Sequence, residues 1–208
     1  MPLQKQNDFE EAVKKFKPSF EPRYVFLFQG HMIDAPDRKE PRFRAGKEKI
    51  AAQAIAAKLD ELDAGSKDLA LCGGACGGDL LFAEACLKLG VRLQIRIPFD
   101  ESTFLKNSVT FAGGNWLDRF FAVKNSKLTT LFVMPEELGP MPENAIPYER
   151  NNLWQLCTAL SMGPEKVRFI YLWDGKGGDG PGGTKHVHDS VKTRSGSVYV
   201  LDTNVLFK

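Results

Sequence analysis

Five short apolar runs, separated by segments of helical length, constrain this chain more than any other feature. The runs are YVFLFQG (24–30), DLALCGG (68–74), VRLQIRIPF (91–99), LTTLFVM (128–134) and VRFIYLW (167–173). Each is rich in β-branched, Leu and Phe residues, the pattern of a strand covered on both faces. Helical patterns fall between them, over 47–63, 79–89, in pieces around 100–125, and over 149–162. Such alternation predicts βαβ units, hence an α/β fold: a Rossmann-like, mostly parallel sheet with helices on both faces. At 208 residues the chain can bury that core without disulfides or metals.

The two ends depart from this rhythm. Residues 1–22 are charged and close on KPSFEPR, which reads as an N-terminal arm, so that 23–208 form a single domain. After Trp173, the stretch GKGGDGPGGT (175–184) holds six glycines and a proline, and SVYVLDTNVLF (197–207) follows. A long mobile loop and one last strand are predicted there, with the loop placed to act as a lid.

Lys plus Arg number 28 against 26 Asp plus Glu, a net charge of +2, so electrostatics exclude duplex nucleic acid and anionic membrane as partners. No apolar window reaches the roughly 18 residues of a membrane span. The N-terminus also lacks a signal-peptide centre, so a cytoplasmic location is expected. Cys72, Cys76, Cys86 and Cys157 lie in or beside apolar stretches, as reduced core thiols do. Only His186 and His188 are spaced as a ligand pair, so no metal and no cofactor are expected. Cys76 at a helix start would have a lowered thiol pKa, but no histidine lies near it in sequence.

The sharpest local signal is LALCGGACGGDLLFAEACLKLG, an apolar strand running through Gly73, Gly74, Gly77 and Gly78 into an amphipathic helix. Glycines let a backbone approach a phosphate, and the first helix amides are free to donate to it. The spacing, G-G-x-x-G-G, is neither the dinucleotide fingerprint nor the Walker loop. Asp79 then caps the helix or receives a ribose hydroxyl, since beside a phosphate it would repel. The competing reading is a tight turn packed closely for steric reasons alone.

In a parallel sheet, ligands bind beyond the strand carboxyl ends, which directs attention to the residues there. Gln29-Gly30-His31 follows the first run, and His31 with Asp34 forms a titratable pair; a loop histidine bonded to a carbonyl is the alternative. Arg119, inside the apolar helix around Trp116 and Phe120, calls for an anionic partner, either a carboxylate or a ligand phosphate. Glu149, Arg150 and Asn151 cluster at a helix start, placed either to grip ribose and phosphate or to cap the helix.

In these parts and their order the chain resembles the SLOG superfamily, Rossmann-like nucleotide-binding domains that include the LONELY GUY phosphoribohydrolases and the DNA-processing protein family. The likeness spans roughly 23–175 and is carried by FLFQGHM, CGGACGGDLLFAEAC and the helix bearing Arg119 ahead of LTTLFVMP. It looks most like an uncharacterised bacterial branch. The resemblance implies Arg119 and Glu149 as the catalytic pair, if the chain is an enzyme. The hydrolases carry P-G-G-x-G-T straight after the fourth strand; here PEELGPMPENAIPYER stands there, and GPGGT with Gly182, Gly183 and Thr184 comes only after the fifth. Binding of a nucleotide or nucleotide-derived signal by a sensor domain is thus the leading expectation. The alternatives are metal-independent hydrolysis of a nucleoside monophosphate at its N-glycosidic bond and a ligand-free interaction module. A homodimer stays open.

Overall fold

One parallel sheet organises the computed structural model, which describes residues 20–135, 138–139, 143, 146–176, 184–194 and 196–208. Its strands are β1 (Val25–Gly30), β2 (Leu69–Cys72), β3 (Arg92–Ile97), β4 (Thr129–Val133), β5 (Val167–Trp173) and β6 (Ser197–Asp202). They lie in the order β4-β3-β2-β1-β5-β6, every neighbouring pair parallel. The helices are α1 (Glu48–Glu61), α2 (Gly78–Lys88), α3 (Glu101–Ser108), α4 (Trp116–Lys124), α5 (Pro147–Leu160), α6 (Thr184–Thr193) and the single turn α7 (Thr203–Leu206). The predicted α/β class and two-sided covering are what the structure has.

Successive strand residues face opposite ways, so each strand feeds two cores. Phe26 and Phe28 join Ala70, Cys72, Ile95 and Ile170 beneath α1, α2 and α4, where Ile55, Leu80 and Phe120 are buried. Val25 and Leu27 join Leu69, Leu71, Phe169 and Tyr171 beneath α5 and α6 with Leu156, Val187 and Val191. Burying each such side chain contributes about 1.5–3 kcal/mol. The second face carries a polar seam, because Gln94 and Arg96 alternate with Leu93, Ile95 and Ile97 along β3 and so point toward α5. There the Arg96 guanidinium stacks 4.4 Å from the Trp154 ring, and Asn151 Nδ2 donates to Arg96 O at 2.7 Å.

Two expectations about the tail are corrected. Residues 184–193 are helical, because Val187 and Val191, one turn apart in a polar segment, form a narrow stripe that is fully buried. The last strand stops at Asp202, whose carboxylate accepts from Asn204 N at 2.8 Å and caps α7. The predicted arm lies almost wholly outside the described residues, as do 177–183 of the glycine-rich stretch. Among the described residues no helix is long and apolar enough to cross a membrane.

The strand order reverses at β1. From there the chain moves outward through β2, β3 and β4, then crosses back by α5 to β5 on the other side. Loops leaving the carboxyl ends of β1 and β5 therefore diverge, and a crevice opens between them.

Candidate functional site

That crevice is a cleft of about 270 Å³ with Gln29, Gly30, Gly73 and Leu172 at its base. Its walls come from five segments: His31, Met32 and Arg42 after β1; Ala75 and Asp79 in the glycine turn; Phe104 in α3; Tyr148, Asn151 and Asn152 in the first turns of α5; Trp173, Lys176 and Thr184 at and beyond the end of β5. The volume lies just below the usual range for small-molecule sites.

The glycine turn is closed onto protein rather than onto the cleft. Gly78 N donates to His31 O at 3.0 Å and Cys76 N to Ser108 O at 2.8 Å, while Leu81 N returns to Gly77 O at 3.0 Å. Donors that a phosphate would recruit are therefore engaged. A Cβ on Gly77, whose φ is +94°, would lie 2.7 Å from Ile33 N, and one on Gly78 would lie 3.0 Å from the Cα of Gly30. A Cβ on Gly74 would lie 2.8 Å from Ile95 Cγ2. These glycines allow α2 to start against the loop after β1, which is the steric reading of the turn; of the four, only Gly73 lines the cleft.

Asp79 reaches the cleft from the first turn of α2. Burial pushes its carboxyl up to about 7, although the Ala75 and Gly73 amides pull the other way. A carboxyl poised there can donate or accept a proton near neutral pH. Its place fits the reading as an acceptor of a hydroxyl better than one as a phosphate neighbour.

His31 is buried, with its Nε2 3.2 Å from Asp174 N and 3.3 Å from Asp174 Oδ1. Burial, followed by the nearby Arg42, pushes its pKa down. The predicted partner Asp34 does other work: its Oδ2 accepts from Arg42 N at 2.8 Å and Phe43 N at 2.7 Å. Those two bonds fold the loop back and deliver Arg42 to the cleft, where its buried Nε has no hydrogen-bond partner among the described residues.

The remaining predicted residues divide. Asn151 lines the cleft and is anchored through its Nδ2 on β3. Arg150 donates to Gly139 O at 2.9 Å and to Leu138 O, away from the cleft lining. Glu149 is half-buried in the first turn of α5, outside the lining. Arg119 has a carboxylate partner rather than a cleft position. Its Nε and Nη2 grip Glu84 at 2.6 and 2.7 Å, its Nη1 donates to Glu48 at 2.7 Å, and it stacks 4.0 Å from the Trp116 ring. It therefore clasps α1, α2 and α4 together. Thr184 lines the cleft; Gly182 and Gly183 lie outside the described residues. Burial pushes the Cys76 thiol up to about 12, against the activation that a helix start suggested. Among the described residues no group of three or more His, Cys, Asp or Glu side chains is arranged to hold a metal.

Sequence reasoning missed the groups at the base and rim. Gln29 is 7% exposed, and neither atom of its amide has a hydrogen-bond partner among the described residues. A buried polar group left so costs about 1–3 kcal/mol. Its signal was legible as the single polar side chain closing the apolar run VFLFQG. Arg42 had no signal, because the Asp34 turn that positions it is a tertiary feature.

No protein-family model matches this sequence, and a comparison with curated proteins finds no match. Among solved structures, the chain is similar to the X-ray structure of DNA processing protein A (DprA) from Streptococcus pneumoniae. That similarity has 12% identity and a TM-score of 0.36, covering 90% of this chain and 62% of the other. The chain thus spans less than two thirds of that protein. The Rossmann-like assignment stands on the sheet order itself.

Proposed function

We propose that this chain is a sensor or regulatory domain of SLOG type that binds a nucleotide or nucleotide-derived small molecule in the cleft between β1 and β5. The observation that carries the reading is the Gln29 amide, buried at the carboxyl end of the central strand and unpartnered among the described residues. Folded proteins retain such groups where function offsets their cost. Arg42 and Lys176 supply positive charge on the same cleft, as an anionic ligand requires, and the cleft sits at the point where parallel sheets bind nucleotides.

The hydrolase alternative, with Arg119 and Glu149 as its pair, draws no support from where those side chains lie. An acid–base role in the cleft would fall instead to Asp79. A ligand-free interaction module leaves the burial of Gln29 unexplained.

Mass analysis of small molecules retained by the gently purified protein tests the reading, followed by calorimetry with nucleoside monophosphates and dinucleotides. Saturable binding without release of free base is expected. No binding across the panel sinks the proposal, and free base released by the protein but not by Asp79→Asn would turn it into an enzyme.

A further inference from the structure

Of three buried amides on β1 and α5, Gln29 and Asn151 line the cleft, and Gln155 lies outside its lining. Gln29 ends β1, and Asn151 and Gln155 stand one turn apart on α5, with exposures of 7%, 3% and 1%. Four of their polar atoms have no hydrogen-bond partner among the described residues: Nε2 and Oε1 of Gln29, Oδ1 of Asn151 and Oε1 of Gln155. The orientation of Asn151 is set by its Nδ2 bond to Arg96 O, so its oxygen is the free end. Three of the four are therefore acceptors. A phosphate, itself an acceptor, cannot satisfy them. In the glycine turn, the Ala75, Cys76 and Gly78 amides are engaged within the protein. What these groups lack is a donor.

Resting on the nucleotide reading above, we infer that the cleft takes its ligand base first. An exocyclic amine of the heterocycle donates to the oxygens of Gln29 and Asn151, Gln29 Nε2 donates to the adjacent ring nitrogen, and Arg42 and Lys176 hold the anionic end at the mouth. A carboxamide carries its donor and acceptor side by side, the complement of the amine and ring nitrogen on adenine or cytosine. The terminal torsion of a glutamine is soft, so Gln29 turns toward an arriving ring at small cost. An amine has two hydrogens and serves Gln29 and Asn151 together, whereas hypoxanthine or uracil, even when a turned Gln29 accepts from its ring N–H, presents its oxo group as a further acceptor to the fixed Asn151 oxygen. A site built on such polar groups rejects the analogue that leaves them unpaired.

Titrations of the ¹⁵N-labelled full chain with adenosine and inosine 5′-monophosphates, cytidine and uridine 5′-monophosphates, ribose 5-phosphate and inorganic phosphate test this. The amino-bearing member of each nucleotide pair should bind about tenfold or more tightly than its oxo counterpart. It should move the side-chain amide signals of Gln29 and Asn151, which ribose 5-phosphate and phosphate leave in place. Gln29→Leu and Gln29→Met should lose that preference and melt no lower than the parent, since they remove unpaired polar atoms from the interior. Equal affinity for amino and oxo bases overturns the inference, as does movement of the Gln29 signal by ribose 5-phosphate or full amino preference in Gln29→Leu. If the amides hold only buried water, none of the nucleotides moves their signals; binding that persists elsewhere then overturns this inference alone. Absence of any binding overturns the nucleotide reading with it.

Discussion

The carboxylate of Asp79 lies over Gly73 so closely that a Cβ on that glycine would stand 2.7 Å from Asp79 Oδ2. One residue thus lacks a side chain because another, six positions on, folds back across it. The pair closes the carboxyl end of β2 and presents a single carboxyl to the cleft in a surrounding that disfavours its charge.

Asp79→Asn should stabilise the protein, and increasingly so as pH rises. The folded carboxyl sits at about 7 against an ordinary 3.8. Between those values the folded state holds a proton that the unfolded chain has released, so stability falls as pH rises. The penalty is complete above the folded pKa and reaches about 4 kcal/mol at most. Melting temperatures of parent and variant should agree near pH 3, diverge between about pH 4 and 7, and run parallel above. A gap that does not change with pH would mean that Asp79 is ionised in the fold.

Gly77→Ala should unfold the protein or cost about 3 kcal/mol or more, whatever ligand is present. Its backbone, at φ +94° and ψ −128°, lies in a region essentially confined to glycine, which alone costs about 1–3 kcal/mol for a residue with a Cβ. The added carbon also meets main-chain atoms, Ile33 N at 2.7 Å and His31 O at 2.9 Å, which cannot swing aside. Chemical denaturation measures the loss. A stable Gly77→Ala protein with weakened nucleotide affinity would instead return the turn to the binding site.

Arg119→Met should lower stability by about 1–3 kcal/mol and leave ligand affinity unchanged. It removes charge-assisted bonds to Glu84 and Glu48 on two other helices and leaves both carboxylates without their shared cation. Denaturant midpoints and calorimetry separate the two effects. Lost affinity in a protein of unaltered stability would place Arg119 at the ligand after all.

Arg42→Met should weaken a nucleoside monophosphate about tenfold, the scale of one charge-assisted bond, and leave the parent nucleoside unaffected. Asp34→Ala should act in the same direction, because it releases the two amides that hold the Arg42 loop in place. Calorimetry at two salt concentrations checks both, since the part of the affinity due to Arg42 is screened by salt. Equal losses for nucleoside and nucleotide would remove Arg42 from the anionic end.

Much of the fold was legible because a parallel sheet leaves its mark within each segment. Strands covered on both faces must be largely apolar, as VRFIYLW, apart from Arg168, is over 167–173, where β5 matches the expected limits residue for residue. Helix α6 escaped, since its two buried valines stand in a polar, glycine-flanked stretch and its amphipathic stripe is narrow. The candidate site was legible only in outline. His31, Gly30, Gly73, Asp79, Asn151 and Thr184 do line the cleft, because strand ends are fixed by the same local patterns.

By itself, the sequence determined which segments are strands, which turns need glycine, and that polar groups would gather at the strand ends. Tertiary structure alone decided what those groups face. Arg119 met Glu84 and Glu48 rather than a ligand, and His31 met Asp174, 143 residues away, rather than Asp34 three positions on. Gly77 met the backbone of Ile33, and Gln29 met no hydrogen-bond partner among the described residues. Local propensity is settled by neighbours along the chain and so can be read there. The partner of a polar side chain is chosen by strand order and by the face on which each helix crosses, and these arise only when the whole sheet has assembled.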